Sequence, residues 1–240
     1  MKRIGLIIFF CINLFCLGTY SQTNTAQDSV SIWIDKGYYY LDKDDYQNAF
    51  FWYMKAANEG NAYAEAMIGE FYIEGLYVTK DYESGFQWLQ KAALKGETGA
   101  YCDFALLYYN GWGVKQNYDE AFKWYMKAAL EGVAEAQRQV GTLYSHGWGV
   151  KQNCSEAFKW TKKAADQGNA DAQHNLGVLY YQGCGVNKDD NMAFTWCMKA
   201  AKQGFRLAQL SVAEMYEKGI GTKKNIAEAN YWYKLANSQQ

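Results

Sequence analysis

The stretch Gly111-Trp112-Gly113-Val114-Lys115-Gln116-Asn117 returns residue for residue at Gly147 to Asn153, 36 positions later. Seven identical residues at a fixed offset mark an internal duplication, so the same period is sought along the chain. Trp52, Trp88, Trp124, Trp160, Trp196 and Trp232 stand on it, as do Gly60, Gly96, Gly132, Gly168 and Gly204. The chain divides into units at 61–96, 97–132, 133–168, 169–204 and 205–240, without an insertion.

Within a unit, position 4 is always Ala (Ala64, Ala100, Ala136, Ala172, Ala208), position 8 is apolar and position 12 is always Tyr (Tyr72, Tyr108, Tyr144, Tyr180, Tyr216). Spacings of four place these residues on one face of a helix, helix A. Position 15 is always Gly, the residue that adopts the left-handed conformation ending a helix. Position 21 is Asp or Asn (Asp45, Asp81, Asn117, Asn153, Asp189, Asn225), predicting N-caps for a helix B. Glu120, Glu156 and Glu228 follow three residues later and predict capping boxes. One such pair cannot bury its apolar face, whereas a stack of pairs can. The predicted fold is an all-α solenoid.

Twenty-one Tyr, nine Trp and twelve Phe with no Pro fit the copying of one aromatic-rich unit. The N-terminus reads as a cleaved signal over residues 1–21. Lys2 and Arg3 precede an apolar run from Ile4 to Leu17, and Thr19 and Ser21 suit cleavage before Gln22. That run is shorter than the roughly 20 residues of a spanning helix, so a retained anchor is the weaker reading. The chain is therefore expected to be exported, to the periplasm, cell surface or medium, and nothing in the sequence excludes a eukaryotic secretory lumen. Cleavage leaves 22 basic against 25 acidic residues, with no basic patch for a nucleic-acid backbone.

Cys102, Cys154, Cys184 and Cys197 remain after cleavage. An exported chain permits a disulfide among them, but connectivity stays open. Their spacings form no metal or redox motif, and His146 and His174 have no cluster of ligands in the sequence, so no metal or cofactor is expected. The Gly-x-Gly loops follow helices rather than strands and do not fit a dinucleotide fingerprint. No Ser-x-x-Lys, Lys-Thr-Gly or Gly-x-Ser-x-Gly occurs, so serine hydrolase mechanisms lack their nucleophile.

Ala134-x-Ala136-Gln137, Gly141-x-x-Tyr144, Gly147-x-Gly149-Val150, Ala157-x-x-Trp160 and Lys163-Ala164-Ala165-x-x-Gly168 together resemble the Sel-1-like repeat. The resemblance covers five units over 61–240 and implies a right-handed α/α superhelix related to tetratricopeptide arrays. Local departures are Tyr77 for the second loop Gly, Gly85 for Ala and Leu235 for Lys. Residues 22–60 fit one further pair, at 29–58, with a shorter connection, and resemble a plain tetratricopeptide motif after a disordered stub near Gln22 to Gln27. The array then holds about six pairs, with unit 205–240 as its C-terminal cap.

Positions 3, 6, 10 and 13 of helix A lie opposite its core face and change from unit to unit. By resemblance to tetratricopeptide arrays they line a concave groove, and Glu70, Tyr109, Arg138, Asp171, His174, Tyr181 and Glu214 are the candidate contacts. Ile73 shares this stripe. The expected role is a monomeric, non-enzymatic scaffold that binds a peptide or protein partner. Alternatives are a carbohydrate or peptidoglycan binder using the groove tyrosines, and, by analogy with cysteine-rich secreted members of the resembled family, a β-lactam-binding hydrolase.

Overall fold

The computed structural model describes residues 25–238; the expected signal segment, 1–21, lies outside them. All regular structure among the described residues is helical. The chain forms an all-α solenoid of six helix pairs, falling into two compact units at 1–116 and 117–240. The first holds α1 (Thr25–Leu41), α2 (Tyr46–Asn58), α3 (Ala62–Glu74), α4 (Tyr82–Leu94) and α5 (Thr98–Asn110). The second holds α6 (Tyr118–Leu130), α7 (Ala134–His146), α8 (Cys154–Asp166), α9 (Ala170–Gln182), α10 (Asp190–Lys202), α11 (Arg206–Lys218) and α12 (Ile226–Asn237). Odd-numbered helices are the A type and even-numbered ones the B type. Since α1 begins at Thr25, the expected stub is helical from that residue on. The connection after α1 runs only from 42 to 45, shorter than the 75–81 connection after α3, as the sequence required.

Every B helix is capped as expected: Asp45, Asp81, Asn117, Asn153, Asp189 and Asn225 each accept a bond from a backbone N–H in the first turn. Two of the three capping boxes are only half made. The N–H of Asn153 goes to the carbonyl of Tyr144 at 2.9 Å and that of Asn225 to Tyr216 at 2.8 Å, so Glu156 and Glu228 have no cap donor to bind. Glu156 instead accepts from the Trp160 indole at 3.1 Å.

Alanines at 0% exposure, among them Ala49, Ala64 and Ala92 in the first unit and Ala136, Ala164 and Ala200 in the second, let neighbouring helices approach closely. Aromatic side chains fill the space between repeats. In the second unit Phe122 meets Tyr144, Phe158 meets Tyr180 and Phe194 meets Tyr216 edge to face, at 5.2, 5.3 and 5.1 Å. This geometry matches the negative face and positive edge of aromatic rings. Asn230 takes the place of that Phe in α12 and is exposed, consistent with a terminal cap.

A polar clasp between one buried and one exposed side chain recurs beside these contacts, and the sequence reading passed over it. The Gln167 amide donates to Gln137 at 2.8 Å and to the Gly132 carbonyl at 3.0 Å. Gln203 repeats this on Gln173 and Gly168 at 2.8 and 3.0 Å. In the first unit Lys95 and Glu65 do the same with charge, 2.7 Å apart, the lysine also reaching the Gly60 carbonyl. Each clasp pairs groups that would be costly if buried alone.

The two loop glycines have different duties. Gly111, Gly147, Gly183 and Gly219 adopt φ near +70° and end their A helices. The second glycine meets the preceding B helix: a Cβ on Gly113, Gly149, Gly185 or Gly221 would stand 2.1, 2.0, 2.2 or 1.8 Å from the carbonyl oxygen of Tyr82, Tyr118, Cys154 or Asp190. Tyr77, which lacks this glycine, adopts φ +63° and leans on Phe50 with ring centroids 5.7 Å apart. Gly85 is also explained. A Cβ there would lie 2.7 Å from Ile73, so Ile73 turns inward and is buried, a correction to its place on the expected outer stripe.

Gly147→Ala, strained by its positive φ and by contacts with Gln152 no closer than 3.2 Å, is expected to cost about 1 kcal/mol. Gly149→Ala should cost about 2–3 kcal/mol, because its methyl group collides with backbone. Thermal unfolding of the two variants checks the order; equal losses would refute the assignment of separate duties.

Candidate functional site

The A helices present their non-core faces in both units, and the two faces differ in chemistry. In the first unit Glu70 on α3 is half-buried, as are Tyr109, Cys102 and Asp103 on α5. Asp103, one position off the expected stripe, belongs to this site electrostatically. Loss of hydration holds the Glu70 carboxyl well above the ordinary carboxylate range, reinforced by the negative charges of Asp103 and Glu74. Burial likewise raises Asp103, again with Glu74 repelling it. No ion pair to Glu70 or Asp103 occurs among the described residues. Tyr109 accepts a hydrogen bond at its carbonyl from Gln116 at 2.8 Å.

The second unit gathers a mixed cluster. Arg138 on α7 forms a bidentate pair with Glu135, through Nε at 2.8 Å and a second guanidinium nitrogen, and its side chain is 18% exposed. Asp171 on α9 acts electrostatically on both Arg138 and His174. His174 reaches α11: its Nε2 lies 3.1 Å from the Ser211 hydroxyl and its ring 5.5 Å from Phe205. Burial holds this imidazole below its ordinary range, against the opposing effects of an Asn175 hydrogen bond and the Asp171 charge. Thus Arg138, Asp171 and His174 are brought together. Tyr181 is 45% exposed with Lys188 4.9 Å from its ring, and Glu214 is exposed and paired with Lys218 at 3.3 Å.

A Ser–His contact beside an aspartate invites comparison with a hydrolytic triad. Beside Ser211, the side chain bonded to His174 is Asn175 and not Asp171, and Ser211 sits within α11, where the backbone N–H groups are engaged in the helix and cannot cradle an oxyanion. The cluster can present hydrogen bonds and charge to a ligand. Among the described residues no group of three His, Cys, Asp or Glu side chains converges as metal ligands would. Near the C-terminus a cleft of about 430 Å³ lies beside Trp232, Leu235 and Gln209, where the chain runs on into residues 239–240, outside the described residues.

The family model described as Sel1 repeat matches the chain six times, at 21–61, 62–97, 99–133, 134–169, 170–205 and 206–240. The first match covers the segment expected from sequence to be a plain tetratricopeptide pair. A Sel1 repeat protein from Oxalobacter formigenes superposes with a TM-score of 0.81 at 34% identity, over 88% of this chain and 83% of that one. A protective antigen of uropathogenic Escherichia coli with an SLR fold gives 0.81 at 32% identity, over 89% of this chain and 47% of its own length. An immunity protein from Pseudomonas aeruginosa shares the fold alone, with a TM-score of 0.54 at 19% identity. No curated protein matches.

The raised carboxyls make a pH prediction. Glu70 and Asp103 bind protons more tightly folded than unfolded, so their contribution to stability is present below the ordinary carboxylate range and is lost as pH rises through their folded values. Stability should fall between about pH 4.5 and about pH 8. Glu70→Gln should flatten that decline in denaturant titrations; an unchanged slope would exclude the pair as its source.

Proposed function

The chain belongs to the Sel1 repeat family, and from this we propose an exported, non-enzymatic scaffold that holds a peptide or protein partner on the outer faces of its A helices. Sel1 repeat proteins generally mediate protein–protein interaction, and the family is typically non-catalytic. Two features support export: the apolar N-terminal segment, and the Cys154–Cys184 disulfide, a bond that persists in oxidising compartments.

One observation carries the binding assignment. Framework contacts recur every 36 residues, whereas the A-helix faces carry a different set of charges in each repeat. Recognition needs such differences, and packing does not. The preformed helices keep the ordering cost of binding low. In the first unit the enclosed carboxyls of Glu70 and Asp103 favour a lysine or arginine of the partner. Binding that cation would ionise them and release protons, so affinity should grow as pH rises through neutrality. In the second unit Arg138, already held by Glu135, offers a fixed guanidinium, and His174 a neutral imidazole.

Fluorescence anisotropy with labelled peptides tests this. Lysine- and arginine-rich peptides should bind better than glutamate-rich ones of equal length. Glu70→Gln with Asp103→Asn should weaken that binding by about tenfold, or 1.4 kcal/mol. Circular dichroism should stay unchanged. Equal affinity for both peptide sets, or full binding by the double variant, would overturn the assignment.

A further inference from the structure

We propose that the contact between the start of one B helix and the loop of the next repeat is a fastening slot, and that Cys154–Cys184 places one such slot under thiol control. The slot recurs with a fixed separation of 30 residues. Tyr82 stacks on Trp112 with ring centroids 5.0 Å apart and planes 20° from parallel, and Tyr118 stacks on Trp148 at 5.4 Å and 16°. Cys154 and Cys184 occupy the same two positions one repeat later, again 30 residues apart, and are joined by a disulfide.

Beneath each pair the backbone is alike. Gly113, Gly149 and Gly185 lie against the carbonyls of Tyr82, Tyr118 and Cys154, so the loop approaches the helix in the same way and only the side-chain fastener differs. A fourth slot shows the approach without such a fastener. Gly221 lies against the Asp190 carbonyl, while the Asp190 side chain pairs with Lys188 at 3.4 Å.

The disulfide is open to exchange. Cys154 is exposed at the first residue of α8, and Cys184 is half-buried in the loop after α9. Cys197, the other cysteine of this unit, packs against Gly177, and burial pushes its thiol up to about 12, so it supplies no thiolate to compete. The reaction is two-step thiol–disulfide exchange with an external dithiol. One donor thiolate attacks the Cys154 sulfur, the Cys154–Cys184 bond breaks, and Cys184 leaves as a thiolate and takes up a proton. The second donor thiolate then attacks the donor sulfur of the mixed disulfide, so that Cys154 leaves as a thiolate and takes up a proton while the donor becomes its own disulfide. The two thiols bury far less surface than a Tyr–Trp stack, so the slot opens while its aromatic counterparts stay closed.

Hydrogen exchange of the full chain, read by mass spectrometry with and without dithiothreitol, tests the proposal, with alkylation counting the thiols. Reduction should speed exchange at least about fivefold in residues 154–157 and 183–189 and leave 111–117 unchanged. Cys154→Ser with Cys184→Ser should reproduce the reduced pattern in the absence of dithiol. Cys154→Tyr with Cys184→Trp should show slow exchange that ignores dithiol. Three results would overturn the proposal: a disulfide that resists dithiol under native conditions, full reduction without local change, or a Ser variant as protected as the oxidised protein.

Discussion

The structure depends on how near each loop comes to the preceding B helix. The second loop glycine rests on a backbone carbonyl at a distance that no side chain permits, as at Gly149 over Tyr118. That approach fixes the step from one repeat to the next, and the other inter-repeat contacts follow from it. Phe158 can meet Tyr180 edge to face, and Gln203 can reach the Gly168 carbonyl at the end of the preceding repeat, only if the step is held constant. Aromatic packing between repeats supplies hydrophobic burial, and within a repeat each glutamine clasp holds helix A against the end of helix B, since a slip would leave the buried amide of Gln137 or Gln173 unpaired.

Much of this was legible in the chain because it recurs. The comb of tryptophans and glycines gives the period, the spacing of Ala64, Ile68 and Tyr72 gives a helix, and Asp81 or Asn153 gives the start of the next. Pairing partners were harder to see. Gln137 and Gln167 lie 30 residues apart at opposite ends of one repeat, and no local pattern joins them. The capping-box motif at Asn153 and Glu156 was misleading because it describes an isolated helix, whereas here the Tyr144 carbonyl takes the N–H first. Ile73 was assigned outward by its phase and turned inward because Gly85 left room for it. The cysteine pairing shares the 30-residue separation of the aromatic stacks, but only the structure shows that separation to be a contact.

The candidate site was legible as a stripe and not as a set of partners. Phase placed Arg138, Asp171 and His174 on one side of their helices. It could not say that Glu135 already holds Arg138, or that His174 reaches Ser211. Asp103 was missed because helical phase puts it beside the stripe, while its influence on Glu70 is through space.

That influence separates the first unit's face from the framework. The buried side chains of Gln137 and Gln173, and one carboxylate oxygen of Glu65, are each given a partner by the framework. Glu70 and Asp103 carry a desolvation cost that folding does not recover, since neither forms an ion pair among the described residues. A leucine or glutamine at either position would fold more easily. Local conflicts of this kind, in a sequence otherwise consistent at every level, collect where a surface serves something other than its own stability. In the proposed binding mode a cationic partner would recover that cost, turning a destabilised pair of carboxyls into a source of affinity.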